Sequence, residues 1–381
     1  MKNQNEIMQK LAEILEDVIE EEIDIESVTM ESDLFDDLGL NSIGILYVAM
    51  AIEEEFDMKF KNEDMLAIRT VGDVVEKLKK RNNFMAFKSF REDINFVMQK
   101  IDFSDEANAE FLSVFDKFAS LKGDEFETII TANDFSKGEE FTKGLLEIAK
   151  LGESIGVHEY TSKMLILLCK ALALRESYKE KGIDEQIFWD SMCDLQYKLE
   201  ECRLIKGVLG TFVADWFVGF YNLTRFHLGR LQFEVCETPK DYEVGGNVIA
   251  KGTKFINVHI PRTGTKLDHE LVEQSYDLAA KMFASEFKGQ PIFFACHSWM
   301  LYPWNIEVLN ENSNMAKFYN DFMIFESEDR DYSDIWRLFD CEYTGNPEDL
   351  PEDTSLRRAY KERFKKGGAW GCGQGFFVYN K

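Results

Sequence analysis

Apolar residues recur at helical spacing in three runs near the start of the chain. Ile7, Leu11, Ile14/Leu15 and Val18/Ile19 predict an amphipathic helix with an acidic outer face. Ile45, Leu46, Ala49, Met50 and Ile52/Phe56 predict a second, starting at Ser42, with Glu53, Glu54, Glu55 and Asp57 on its rim. Val71, Val74, Val75 and Leu78, after Thr70, predict a closing third. The polar run Lys79-Lys80-Arg81-Asn82-Asn83 then reads as a short linker. From Phe84 to about Cys202 the pattern stays helical, with stripes at Phe111/Leu112/Phe115/Phe118/Leu121, at Met164 to Leu174, and at Ile187/Phe188/Met192/Leu195/Leu199. No proline precedes Pro239, which suits a run of helices, because proline removes a backbone donor and clashes with the preceding turn.

The texture changes near residue 205. All six prolines lie between 239 and 351, and short alternating runs replace the helical stripes. Leu231 to Cys236 predicts a strand with Phe233 and Val235 on one face. Phe255 to Ile260 predicts another, with Asn257 and His259 sharing a face. Pro291 to Ala295 predicts a third. Between the last two, Leu267, Leu271, Ser275, Leu278 and Met282 predict a helix. Strand, helix, strand at this spacing is a crossover and implies a partly parallel sheet. The whole reads as a multidomain α+β chain: a helical bundle over 1–81, a helical region over 84–205, and a mixed α/β sheet domain over 206–381.

Charge sharpens the division. Of 44 basic and 70 acidic residues, 9 and 21 lie in residues 1–83, so the first segment carries far the denser negative charge. That asymmetry predicts docking on basic patches of protein partners and excludes nucleic acid; it also serves solubility. Seven cysteines, odd in number and without a Cys-x-x-Cys pair, predict a reduced cytoplasmic protein with neither a disulfide framework nor a zinc cluster. No secretion signal is visible at the N-terminus. The apolar stretch Gly207 to Tyr221 is too short to span a membrane and is interrupted by Asp215. His158, His227 and His269 are isolated, so no metal site is expected.

Ser42, in Asp37-Leu38-Gly39-Leu40-Asn41-Ser42-Ile43, opens the second predicted helix, where the helix dipole favours an attached phosphate. Together with the three-helix spacing and the acid load, this run resembles an acyl carrier protein over about residues 4 to 81. The resemblance implies that Ser42 bears 4'-phosphopantetheine, and that a phosphopantetheinyl transferase and an acyl-loading enzyme are partners. The usual pattern is Asp-Ser-Leu; here Asn41 and Ile43 flank the serine, and Asn41 removes a carboxylate. A serine that only caps a helix is the plainer reading.

The C-terminal region resembles a Gcn5-related N-acyltransferase (GNAT) domain through two pieces. In Glu311-Asn312-Ser313-Asn314-Met315-Ala316-Lys317-Phe318-Tyr319, Asn312 and Tyr319 keep the family's seven-residue spacing, which on a helix points both the same way. The resemblance makes Tyr319 a candidate general acid for the departing thiolate; an ordinary core tyrosine is the alternative. In His259-Ile260-Pro261-Arg262-Thr263-Gly264-Thr265, the resemblance implies an anion loop that binds the cofactor through Arg262, Gly264 and Thr265. The loop is one residue short and lacks a second glycine. That suits a carrier-borne donor with a single phosphate better than the pyrophosphate of acyl-CoA, or reflects a mere glycine turn. His259, ending its strand beside the loop, is a candidate general base or a structural histidine. His297, after the third strand, is its rival. Cys296 adjoins it but points to the opposite face, which disfavours a thiol nucleophile.

Near the C-terminus a basic helix (Arg357, Arg358, Lys361, Arg363, Lys365, Lys366) offers a landing site for an acidic carrier or a solvated face. The glycines from Gly367 to Gly375 read as turns into a last strand. The resemblances together imply a fused carrier and acyltransferase that moves an acyl group from a phosphopantetheine thioester on Ser42 to an amine or other small nucleophile. A non-catalytic scaffold and a carrier thioesterase are the alternatives.

Overall fold

The computed structural model describes residues 4–19, 27–56, 58–60, 68–244 and 247–380. The chain divides into two compact units, Met1–Asp93 and Ile94–Lys381. The residues expected as separate helical and sheet domains, 84–205 and 206–381, therefore lie mostly in one unit.

In the first unit, α1 (Gln4–Val18) buries Ile7, Leu11, Ile14 and Leu15 against α2 (Ser42–Glu55) and the start of α3 (Val71–Lys100), which supplies Val71, Val74, Val75 and Leu78. The loop before α2 sends Leu34, Leu38 and Leu40 into the same core. Arg69 fixes that loop from outside by bonding Asp33 (2.6 Å) and Asp36 (3.1 Å), and this bond, with the Phe35 and Asp36 N–H groups, holds the Asp33 carboxyl down to about 2. Two expectations change. Helix α2 buries Val48, Ala49 and Ile52, whereas Leu46 and Met50, expected in the core, are exposed with Ile43 and Tyr47. The helix is apolar on both faces, so periodicity did not single out the inner one. The expected linker 79–83 is helical and α3 runs on to Lys100, because the run contains neither glycine nor proline to stop it. Asp57, expected on the acidic rim, lies outside the described residues. Because the first unit closes its own apolar stripes, residues 1–93 expressed alone should give a cooperative, helical melt by circular dichroism; a disordered spectrum would refute the division.

The second unit begins with the end of α3, where Ile94, Val97 and Met98 are buried, and continues with α4 (Asp105–Ala132), α5 (Gly138–Ser154), α6 (Glu159–Glu180) and α7 (Glu185–Lys206). Ser104, His158 and Asp184 cap α4, α6 and α7 with their side chains, and Gly207 closes α7 at a left-handed φ of 68°. Helix α6 is buried almost all round, from Met164 to Ala171, so it is the centre of the helical layer. Helix α7 packs on the first strand of the sheet.

The main sheet has the order β1-β2-β5-β6-β8-β7, formed by β1 (Arg225–Leu228), β2 (Leu231–Glu237), β5 (Lys254–His259), β6 (Ile292–Ser298), β7 (Met323–Arg330) and β8 (Trp370–Tyr379); β3 (Tyr242–Val244) and β4 (Asn247–Ile249) pair separately. All pairs are antiparallel except β5 with β6, joined through helix α8 (His269–Met282), as the crossover reading expects. Helix α8 buries Val272, Tyr276 and Ala279, and leaves Leu271 and Leu278 45% and 47% exposed. The stripe expected through those leucines is rotated because the Tyr276 ring seats among Phe233, Phe294 and Phe377 of the sheet.

Of the C-terminal glycines, Gly367 and Gly368 lie in the turn before β8, as expected, whereas Gly371, Gly373 and Gly375 lie inside the strand. Gly371, Gly373 and Gly375 alternate on one face, where a Cβ would overlap Tyr302, the Leu301 carbonyl, and Ile324 with Phe322, respectively. Gly373→Ala should therefore destabilise the second unit by about 3 kcal/mol, since backbone cannot yield as a side-chain tip can. Thermal unfolding that leaves Tm unchanged would contradict that packing. Three cations of the basic helix, α10 (Ser355–Lys365), are spent internally. Arg357 pairs with Asp340 and Asp353, Lys361 is buried on the Leu350 carbonyl, and Arg363 holds the Ala369 carbonyl. Arg358, Lys365 and, just past the helix, Lys366 remain exposed.

Candidate functional site

Two sites are built independently, one in each unit. In the first, Ser42 is the first residue of α2 and is exposed. Asn41 is the cap: its Oδ1 accepts from the N–H groups of Ile43 and Gly44, both at 2.9 Å. The plainer capping role thus falls to Asn41, and the Ser42 hydroxyl stays in solvent at the positive end of a helix. That geometry fits a phosphodiester at this serine.

In the second unit, β5 and β6 pair only at Ile256↔Phe294 and Asn257↔Ala295. Beyond those residues β5 follows β2 to His259, while β6 follows β8 to Ser298. The two parallel strands part there, and their facing edges have backbone N–H and C=O groups without a strand partner among the described residues. A cavity of about 260 Å³ opens at this point, lined among others by Val258, His259, Ile260, His297, Trp299, Met300, Trp216 and Gln232.

His259 sits in this cavity with a built support. Glu234, on the neighbouring strand, lies opposite Asn257. Its Oε1 is 2.7 Å from His259 Nε2 and accepts from Asn257 Nδ2 at 3.2 Å, and its Oε2 accepts from Arg225 at 2.9 Å. Arg225 donates in turn to the Trp216 carbonyl and stacks 3.7 Å from the Trp216 ring centre, while that ring meets the His259 ring edge-on at 4.8 Å. Burial alone would raise the Glu234 carboxyl, but the His259 hydrogen bond and the Arg225 charge hold it down to about 2. Burial lowers the His259 pKa below the ordinary imidazole value, partly offset by the bond to Glu234. His259 is therefore neutral near pH 7. Nε2 also lies 3.1 Å from Asn257 Nδ2, but the nearer Glu234 carboxylate only accepts, which assigns the proton to Nε2 and leaves Nδ1 as a lone-pair base.

The other expected residues fall elsewhere. His297 reaches the cavity too, but from an exposed position; burial and the nearby Arg330 lower its pKa. Cys296 is fully buried and its thiol is pushed up, so it offers no nucleophile. Tyr319 is near the end of α9 (Asn314–Asn320), half-buried and outside the cavity lining. Asn312 precedes the Ser313 cap of that helix, so the two-turn alignment of Asn312 with Tyr319 does not apply. The expected anion loop is folded around a cation instead. The buried Arg230 guanidinium donates to the Pro261, Thr265 and Lys266 carbonyls. Arg262 pairs with Asp340, the Thr263 N–H bonds the Pro261 carbonyl, and the Thr265 N–H bonds Thr263 Oγ1. Gly264 has a left-handed φ of 74° and serves the turn. No anion cradle is formed by Arg262, Gly264 and Thr265.

Glu234, Arg225 and Gln232 were missed in the sequence. The signal was present as the alternation Gln232-Phe233-Glu234-Val235, a strand with one polar face. Polar faces normally meet water; here that face meets the cavity.

Residues 9–78 match the phosphopantetheine attachment site model, and the acyl carrier protein of Clostridium perfringens (strain 13 / Type A) is 45% identical over 67 residues, 18% of this chain and 86% of that protein. The chain belongs to the acyl carrier protein family. A meromycolate extension acyl carrier protein of Mycolicibacterium aurum is 38% identical over 78 residues, 20% of this chain and 78% of its own length. Beyond the carrier domain, residues 92–223 match an N-acyltransferase N-terminal domain and residues 225–377 a GNAT-like C-terminal domain. The carrier is therefore fused to an acyltransferase of GNAT type, and the helical region that the sequence left without a family is that enzyme's N-terminal domain. Two solved structures share the fold. An acyltransferase in complex with decanoyl-CoA and teicoplanin aligns at 16% identity, covering 87% of this chain and 99% of its own, with a TM-score of 0.58. An acyltransferase mutant in complex with octanoyl-CoA aligns at 17% identity, covering 76% and 88%, with a TM-score of 0.56. Phosphopantetheine is the carrier's cofactor, and a carrier domain implies an enzyme that attaches it and one that loads it. No described helix is long and apolar enough to cross a membrane, and no described group of His, Cys, Asp and Glu could hold a metal.

Proposed function

We propose that the GNAT-like unit transfers an acyl group, presented on the phosphopantetheine arm of Ser42, to an amine, with His259 as general base. The observation that carries this is the Glu234–His259 pair, set in a cavity where two parallel strands part. When attached, the arm supplies an acyl thioester. The unpaired edges of β5 and β6 would hold the arm's amides, because both edges offer donors and acceptors at strand spacing. His259 Nδ1 takes the proton that the acceptor nitrogen loses on attack. Glu234 keeps the ring in the tautomer and orientation that expose Nδ1, and Arg225 keeps Glu234 ionised. Trp216, Trp299 and Met300 line the cavity and limit water, which favours transfer over hydrolysis.

The loop folded around Arg230 supports a carrier-borne donor over free acyl-CoA, since a pyrophosphate needs convergent free N–H groups, whereas this loop turns carbonyls onto the guanidinium and ties the Thr263 and Thr265 N–H groups to its own oxygens. The test is to load the full chain with a short acyl group and follow amide formation with an amine panel by mass spectrometry. Acyl release that does not depend on an acceptor would favour the thioesterase, and no turnover of any kind would favour a scaffold.

A further inference from the structure

Gln232 lies directly opposite His259 in the β2–β5 register, so their side chains share the cavity face with Cβ atoms about 5 Å apart. It is almost completely buried. Its Nε2 donates to Asp194 Oδ1 at 3.0 Å, from helix α7. Asp194 is itself wholly buried, and its Oδ2 has no partner among the described residues. A carboxylate oxygen accepts and does not donate, so Asp194 settles which way the Gln232 amide faces. The NH₂ group turns to Asp194 and the carbonyl oxygen Oε1 is left for the cavity.

Resting on the reading of His259 as base, we infer that Gln232 Oε1 binds the second N–H of the acceptor and makes the site selective for primary amines, with Asp194 as the positioning residue. A neutral primary amine brings two N–H groups. In the transfer, nitrogen bonds the acyl carbon and the carbon–sulfur bond breaks. One proton passes to His259 Nδ1 and on to the departing sulfur; the other stays on the amide nitrogen, within reach of Gln232 Oε1. A secondary amine has one N–H, which His259 takes, so Gln232 Oε1 is left buried and unpaired. A site built to bind a group discriminates strongly against the analogue that lacks it.

The test uses the full chain, acyl-loaded on the carrier, with a primary alkylamine and its N-methyl derivative as paired acceptors. Wild type should favour the primary amine. Gln232→Met keeps the size and removes the acceptor atom. It should lower kcat/KM for the primary amine about tenfold or more, with little change for the N-methyl amine. Asp194→Asn frees the Gln232 amide to turn and should narrow the ratio in the same direction. The ratio is read within each protein, so a smaller folded fraction cancels. Wild type that takes both amines equally, or variants that keep the wild-type ratio, would overturn the assignment while leaving amide formation intact. Wild type that makes no amide would overturn the reading of His259 and this assignment with it.

Discussion

His259→Ala is expected to slow amide formation by roughly 10² or more, the usual contribution of a positioned general base. Glu234→Gln should slow it less, by about tenfold, and should shift the pH profile in a defined direction. Burial lowers the His259 pKa and Arg225 lowers it further, whereas the bond to Glu234 raises it. Removing the carboxylate takes away the larger raising influence and leaves burial and Arg225 opposed only by the Asp194 charge, so the acidic limb of kcat/KM should move to lower pH while the plateau falls. Ionisation of the acceptor contributes equally in both proteins, so the difference between their profiles isolates His259. An acidic limb that moves up, or a Glu234→Gln plateau equal to wild type, would contradict the Glu234–His259 arrangement. Tyr319→Phe, outside the cavity, should stay within about twofold of wild type; a loss as large as that of His259→Ala would return Tyr319 to the chemistry and require the α9 region to move.

Coexpression with a broad-specificity phosphopantetheinyl transferase should raise the intact mass by one phosphopantetheine, and Ser42→Ala should abolish both the gain and transfer from the chain's own carrier. The effect is all-or-none because the attachment is covalent and to one hydroxyl. Asn41→Asp separates the two roles at this helix start. Either side chain can cap α2, so stability should hold, and any change in loading rate reports the carboxylate itself. Wild type that stays unmodified under these conditions would exclude Ser42 as the attachment point.

Much of this was legible in the sequence, for identifiable reasons. The carrier helices, the two strands that hold Phe233 and His259, and the β5–α8–β6 crossover follow from periodicity, because each buries one face on a core. The position of Ser42 follows from local order alone: loop, cap, helix. What failed were the faces and the stops. Leu46, Met50, Leu271 and Leu278 are apolar and periodic yet exposed, since the true inner face was chosen by the larger groups it meets. The 79–83 run lacks a breaker and stays helical.

The chemistry divides in the same way. Local sequence was sufficient to name Ser42 and to mark His259 as the end of a strand, because capping, strand period and helix dipoles act over a few residues. Glu234, Arg225, Trp216 and Gln232 became site residues through cross-strand register, and Asp194 through the packing of α7 on the sheet. The same long-range packing pairs Arg262 with Asp340 and folds the loop's carbonyls around Arg230, which comes from another strand end. Register and burial depend on partners tens of residues away, and a linear reading has no measure of which partner a buried polar group will meet.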